Sequence, residues 1–180
     1  MDYNRDKAIR DMERLRLLLV DDHALVREGV AGLLAPQPDI EIVGEASDGW
    51  QALEKARATM PDVILMDIDM PNCDGLEATR LIKREMPYVN IVMLTIHDAD
   101  ERLFEAVRSG AQGYLLKNIG SAELVEMLRG IARGEAPISR AMAARILDEL
   151  ARQVEPRPPD AEPTLTYRER EVLQRVARGA

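Results

Sequence analysis

The chain has 180 residues, of which 46% are hydrophobic and 31% charged, with a formal net charge of −8. That balance describes a water-soluble globular protein of one ordinary domain plus a smaller piece, with no stretch near the roughly 20 apolar residues of a membrane span. A single cysteine, Cys73, excludes an internal disulfide and suits a reducing cytoplasm, while the acidic balance argues against non-specific nucleic-acid binding by most of the chain.

The first fourteen residues, MDYNRDKAIRDMER, form a charged extension without the apolar centre of a signal peptide. Leu15–Val20 then reads as a buried strand that runs into Asp21 and Asp22, followed by a helix from Ala24 to Leu34 with Val26, Val30, Leu33 and Leu34 on its apolar stripe. The pattern repeats: a strand over 40–46 and a helix over 49–59, then a strand over 63–66 that ends on Asp67 and a helix over 76–86 stopped by Pro87. A strand over 91–94 meets Thr95, and its helix, 100–109, closes on Gly110. The last strand, 113–116, meets Lys117, and a helix over 121–133 follows with Ser121 as its N-cap. Strict alternation of this kind implies βαβ units and a parallel sheet covered on both faces. Five units make an α/β, doubly wound, flavodoxin-like fold.

In open α/β sheets, ligands bind at the carboxyl ends of the strands. Those ends offer, in chain order, an acid pair (Asp21, Asp22), a lone acid (Asp67), a hydroxyl (Thr95) and an ammonium (Lys117). Three converging carboxylates are costly unless a hard divalent cation neutralises them. The set describes phosphoryl transfer to a carboxylate: Asp67 as nucleophile, Mg²⁺ (or Mn²⁺) held by the acids, and Thr95 and Lys117 on the phosphoryl oxygens. Each residue taken singly has a plainer reading, as turn former, strand residue or solvated lysine. Only the combination points to chemistry.

On these residues, and on the segment MDIDMPNCDG at 66–75, the stretch from 15 to 134 resembles a receiver domain of the two-component response regulators. The resemblance implies that Asp67 is the phospho-acceptor, that Asp22 and Asp67 ligate the metal directly and Asp21 through water, and that the Asp69 backbone carbonyl completes the protein ligands. It further implies that Thr95 is a switch hydroxyl and Tyr114, three residues before Lys117, its aromatic partner. A sensor histidine kinase is the implied phosphodonor, and the protein is implied to be a cytoplasmic phospho-acceptor rather than an enzyme, at most catalysing its own slow phosphorylation and dephosphorylation. The family commonly has proline after the lysine; here it is Asn118, so a trans bond is expected. Asp69 and His97 fall where the family tunes dephosphorylation, and His23 and His97 both read as rim residues.

Beyond Gly134 the pattern changes. Residues 135–163 read as a linker, helical over 139–153 and then proline-rich. Residues 164–180 open with Thr166 and Glu169 in capping-box spacing, and LTYREREVLQRVARGA resembles the start of a LuxR-type helix-turn-helix. The chain thus resembles a transcription factor of the NarL/LuxR group, with a homodimer left open. Only the first helix of that DNA-binding domain is expected within the 180 residues. Without the recognition helix this chain is not expected to bind DNA specifically, whereas a longer form would. Two other readings remain: a stand-alone receiver acting by protein contact, and a haloacid-dehalogenase-like phosphatase using Asp67-Ile68-Asp69. The second places its metal acids late in the chain, whereas here the acid pair comes first.

Overall fold

A computed structural model describes residues 14–96 and 100–135, together with Ala143, Ala144 and Leu147. The chain divides into two compact units between Ala143 and Ala144, and the described residues fall almost wholly in the first. Apart from Arg14, Ala143, Ala144 and Leu147, the expected extension, the 139–153 helix, the proline-rich linker, the helix-turn-helix fragment and His97 lie outside the described residues.

Among the described residues, five strands alternate with five helices: β1 (Leu15–Val20), α1 (Ala24–Leu34), β2 (Ile40–Ala46), α2 (Gly49–Thr59), β3 (Val63–Asp67), α3 (Gly75–Glu85), β4 (Asn90–Thr95), α4 (Asp100–Ser109), β5 (Gly113–Leu116) and α5 (Ser121–Ala132). All strand pairs are parallel, in the order β2-β1-β3-β4-β5. This is the doubly wound, flavodoxin-like order expected from the alternation. Successive strands step one way from β1 and the other way from β3, so a crevice opens at the carboxyl ends of those two neighbours.

Period-2 alternation in the strands separates two cores. Leu15, Leu17, Leu19, Val63, Leu65, Val92, Leu94 and Leu115 pack with Leu34 of α1 and with Leu124, Val125, Leu128 and Ile131 of α5. The intervening strand residues, among them Leu18, Val20, Ile64, Met66, Ile91 and Met93, are buried on the opposite face, where α2, α3 and α4 supply Ala52, Ala56, Leu76, Ala78, Ile82, Leu103 and Ala106. Burying one such aliphatic side chain is worth about 1.5–3 kcal/mol, so the double-sided strands dominate the stability of the unit. Because β1, β3 and β4 are buried along nearly their whole length, only their ends can carry charge.

Local signals set most helix limits. Asp48 and Asp74 accept from the Gln51 and Glu77 amides at 2.9 and 2.7 Å, capping α2 and α3. Gly110 takes a positive φ of 101° after α4, and Ala111 N–H reaches back to the Ala106 carbonyl at 3.0 Å. One assignment needs correction. Ser121 is the first residue inside α5, and the N-cap is Gly120, whose carbonyl accepts from Leu124 N–H at 3.0 Å with no side-chain cap. Glycine is acceptable at that position because it can adopt the extended cap geometry, so the serine one residue later was the louder but misplaced signal.

Candidate functional site

Asp21 and Asp22 follow β1, Asp67 ends β3, Thr95 ends β4 and Lys117 follows β5, so four strands deliver the expected residues to one end of the sheet. Lys117 unites them. Its Nζ lies 2.7 Å from Asp21 Oδ2 and 2.8 Å from Asp67 Oδ2, and its backbone N–H donates to the Thr95 carbonyl at 2.7 Å. Three carboxylates against one ammonium leave two uncompensated negative charges in a largely buried space, with Asp21 3% and Asp67 4% exposed.

The electrostatics follow from that burial. Desolvation raises the Asp67 pKa above the usual carboxylate value, and the nearby Asp21 charge adds to it, while Lys117 and the Ile68 amide work the other way. A carboxylate held in this way is more basic than a solvated one, which suits a nucleophile. Lys117 is desolvated as well, which opposes its charge, yet its close contacts with the Asp21 and Asp67 carboxylates and their charges outweigh that loss and raise its pKa. The lysine therefore stays an ammonium throughout the neutral range.

The remaining lone pairs decide what the pocket can hold. Asp67 Oδ1 accepts from its neighbour Ile68 N–H at 2.9 Å, and Asp21 Oδ1 accepts from His23 N–H at 2.9 Å. Asp21 Oδ2 and Asp22 Oδ1 are shut off from solvent and meet only cationic or ring nitrogens, Lys117 Nζ and His23 Nδ1, without a well-aligned hydrogen bond. Buried oxygens with unused lone pairs are expensive, and a cation satisfies them. Donor atoms of Asp21, Asp22, His23 and Asp67 all lie within 4.8 Å of one another. The residues thus fit a divalent ion.

The other expected residues occupy distinct places. Thr95 is 1% exposed and Tyr114 3% exposed. Met93 pairs with Tyr114 and Thr95 with Leu116, which sets Thr95 and Tyr114 on one face of the sheet, a single pleat apart. Asp69 stands on the rim, its Oδ1 accepting from Arg102 of α4 at 3.1 Å. The peptide bond after Lys117 is trans, as Asn118 implies.

The sequence reading missed Arg27 and left the ring orientation of His23 open. Arg27 donates from Nη1 to the Asp21 carbonyl at 2.6 Å and from Nε to Glu45 at 3.1 Å, pinning the acid-bearing loop against β2. His23, expected only on the rim, turns its ring onto the acids. Its adjacency to Asp22 was visible, but adjacency does not set a rotamer.

Comparison with known proteins identifies the family and the fold. Residues 17–129 match the family model described as the response regulator receiver domain. The chain is 44% identical over 169 residues to the transcriptional regulatory protein YxjL of Bacillus subtilis, spanning 93% of this chain and 77% of that protein. It is 41% identical over 165 residues to the transcriptional regulatory protein LiaR of the same organism, spanning 92% and 77%. Among solved structures, a LuxR-family two-component response regulator from Aurantimonas superposes with a TM-score of 0.70 at 36% identity, over 77% of this chain and 99% of that one.

Proposed function

The chain belongs to the two-component response regulators of the LuxR family, with its receiver domain over residues 17–129, and from that premise we propose that Asp67 is the acceptor of the regulatory phosphoryl group. The observation that carries the reading is the Lys117 ammonium, 2.7 Å from Asp21 and 2.8 Å from Asp67, at the meeting point of β1 and β3. A sensor histidine kinase is the donor on this reading. An Asp67 carboxylate oxygen attacks the phosphorus, the bond to the donor imidazole breaks, and an aspartyl phosphate forms while the freed imidazole keeps the electron pair and takes up a proton.

Asp22 and Asp67 would hold Mg²⁺ or Mn²⁺, with Asp21 acting through water and the Asp69 carbonyl as a further oxygen. When bound, the ion neutralises the phosphoryl oxygens and the excess charge of the acids. Lys117 keeps its charge and pairs with the new group. The Thr95 hydroxyl turns toward it, and the Tyr114 ring, on the same face of the sheet, moves into the vacated volume. Packed interiors pass such a movement on because they switch between discrete arrangements. The face built by α4, β5 and α5 is where that change emerges.

The protein is on this reading a phosphorylated switch rather than an enzyme. DNA recognition through a LuxR-type helix-turn-helix, whose opening residues 164–180 resemble, is the output on this reading. The domains are accordingly a receiver over 15–134, a linker over 135–163 and the start of a DNA-binding unit over 164–180, preceded by a charged extension over 1–14.

Intact mass after incubation with acetyl phosphate and Mg²⁺ tests the assignment. Wild type gains one phosphoryl group, whereas Asp67→Asn gains none and Asp22→Ala loses the dependence on metal together with the label. Labelling of Asp67→Asn at the wild-type rate would move the acceptor elsewhere.

A further inference from the structure

His23 is the residue at the site whose conformation needs a separate explanation. It occupies the N-cap position of α1 with extended backbone, φ −86° and ψ 109°, yet its side chain makes no cap hydrogen bond. Its ring is 67% exposed and could lie along solvent; instead Nδ1 points inward, 2.7 Å from Asp22 Oδ1 and 3.4 Å from Asp21 Oδ1. The backbone is anchored on the same acid, with His23 N–H donating to Asp21 Oδ1 at 2.9 Å. Main chain and ring therefore hold the nitrogen over the acid pair.

A ring nitrogen at that place changes the donor set. Asp22 Oδ1, beside it, and Asp21 Oδ2, against Lys117, are buried and lack an aligned hydrogen bond. The four donor atoms, one each from Asp21, Asp22, His23 and Asp67, span no more than 4.8 Å. Opposed ligands on an ion bound at about 2.1 Å stand about 4.2 Å apart, so closure by roughly half an ångström brings His23, Asp22 and Asp67 onto one ion, with Asp21 reaching it through water. The entropic cost of ordering the imidazole is already partly met by the fixed backbone.

We propose that His23 is a nitrogen ligand of the divalent cation at this site, which makes the site selective for Mn²⁺ over Mg²⁺. The inference rests on the reading of Asp21, Asp22 and Asp67 as metal-holding acids. Mg²⁺ prefers oxygen donors and retains its waters, whereas imidazole nitrogen favours first-row transition ions. Three carboxylates alone would be nearly indifferent between the two ions. The added imidazole supplies the discrimination, and it does so from the solvent-facing side, where its nitrogen already stands over the acid pair.

Mn²⁺ bound to the full chain provides a direct probe, because a coordinated imidazole modulates the electron spin-echo signal through its ¹⁴N nucleus. The chain has only two histidines, so His97→Ala serves as the control. Wild type and His97→Ala show the nitrogen modulation and His23→Ala does not. In parallel titrations, His23→Ala lowers Mn²⁺ affinity about tenfold and Mg²⁺ affinity less than twofold. Nitrogen modulation that persists in His23→Ala overturns the proposal, and so does an equal loss for both ions, which would reduce His23 to orienting Asp22. If Asp22→Ala binds both ions as well as wild type does, the carboxylate reading itself fails, an outcome distinct from either of these.

Discussion

Gly75 closes the acceptor loop directly against Asp67. Its N–H donates to the Ile68 carbonyl at 2.9 Å, and a Cβ built on it would fall on the Asp67 carbonyl oxygen. The loop that presents Asp67 can therefore return into α3 only through a residue without a side chain.

Gly75→Ala must displace either α3 or the backbone of Asp67. Overpacking of this sort costs about 1–3 kcal/mol, and the displaced carboxylate should label slowly with acetyl phosphate. Urea unfolding and a labelling time course measure the two effects. Wild-type stability with wild-type labelling would show that the loop has slack.

Lys117→Met removes the ammonium between Asp21 and Asp67 while keeping most of the stem's bulk. In the absence of divalent ions the protein should lose about 1–3 kcal/mol, since two buried carboxylates lose a charged partner. Mg²⁺ should then raise the melting temperature of the variant more than that of wild type. The sign with pH follows from the raised Lys117 pKa: its contribution is complete at neutral pH and is lost as the pH rises through a value above 10.5. Thermal melts in EDTA and in Mg²⁺, at neutral and alkaline pH, decide the matter.

Cys73 should be inert in the native state. It is 1% exposed, and burial, helped by the charges of Glu77, Asp74 and Asp48, pushes its thiol up to about 11. Iodoacetamide at pH 8 should leave it unmodified until denaturant is added, when it labels fully. Rapid labelling of folded protein would mean that the acceptor loop opens readily.

Asp39 and Arg129 tie α5 to the turn before β2, with contacts of 2.7 and 2.9 Å. The guanidinium holds the Asp39 pKa below its usual value of 3.8. Its contribution to stability is therefore present above that ordinary value and is lost as the pH falls through the lowered one. Carboxyl-carbon NMR titration should find the depressed value in wild type and a return to the ordinary range in Arg129→Ala. An unchanged Asp39 titration in the variant would remove the guanidinium as its cause.

Much of this protein was legible in its sequence, because the informative signals are local. Runs such as LLLV and VILM are apolar along their whole length, and only a strand buried on both faces needs that. Their terminal acids are covalently next to them, so once the strands lie side by side the carboxylates must meet. Asp48 and Asp74 likewise cap helices that begin within a residue of them.

Tertiary structure decided what depends on the choice of partner among distant groups. Lys117 could have pointed into solvent; it bridges Asp67, 50 residues away, and Asp21 because two buried charges outweigh its hydration. Arg102 finds Asp69 across the acceptor loop, and His23 turns its ring onto Asp22 instead of capping α1. Gly120 takes the cap that Ser121 advertised, because the path of the chain out of β5 sets where α5 begins. Backbone periodicity is written residue by residue, whereas a side-chain rotamer is selected by the field of everything folded around it.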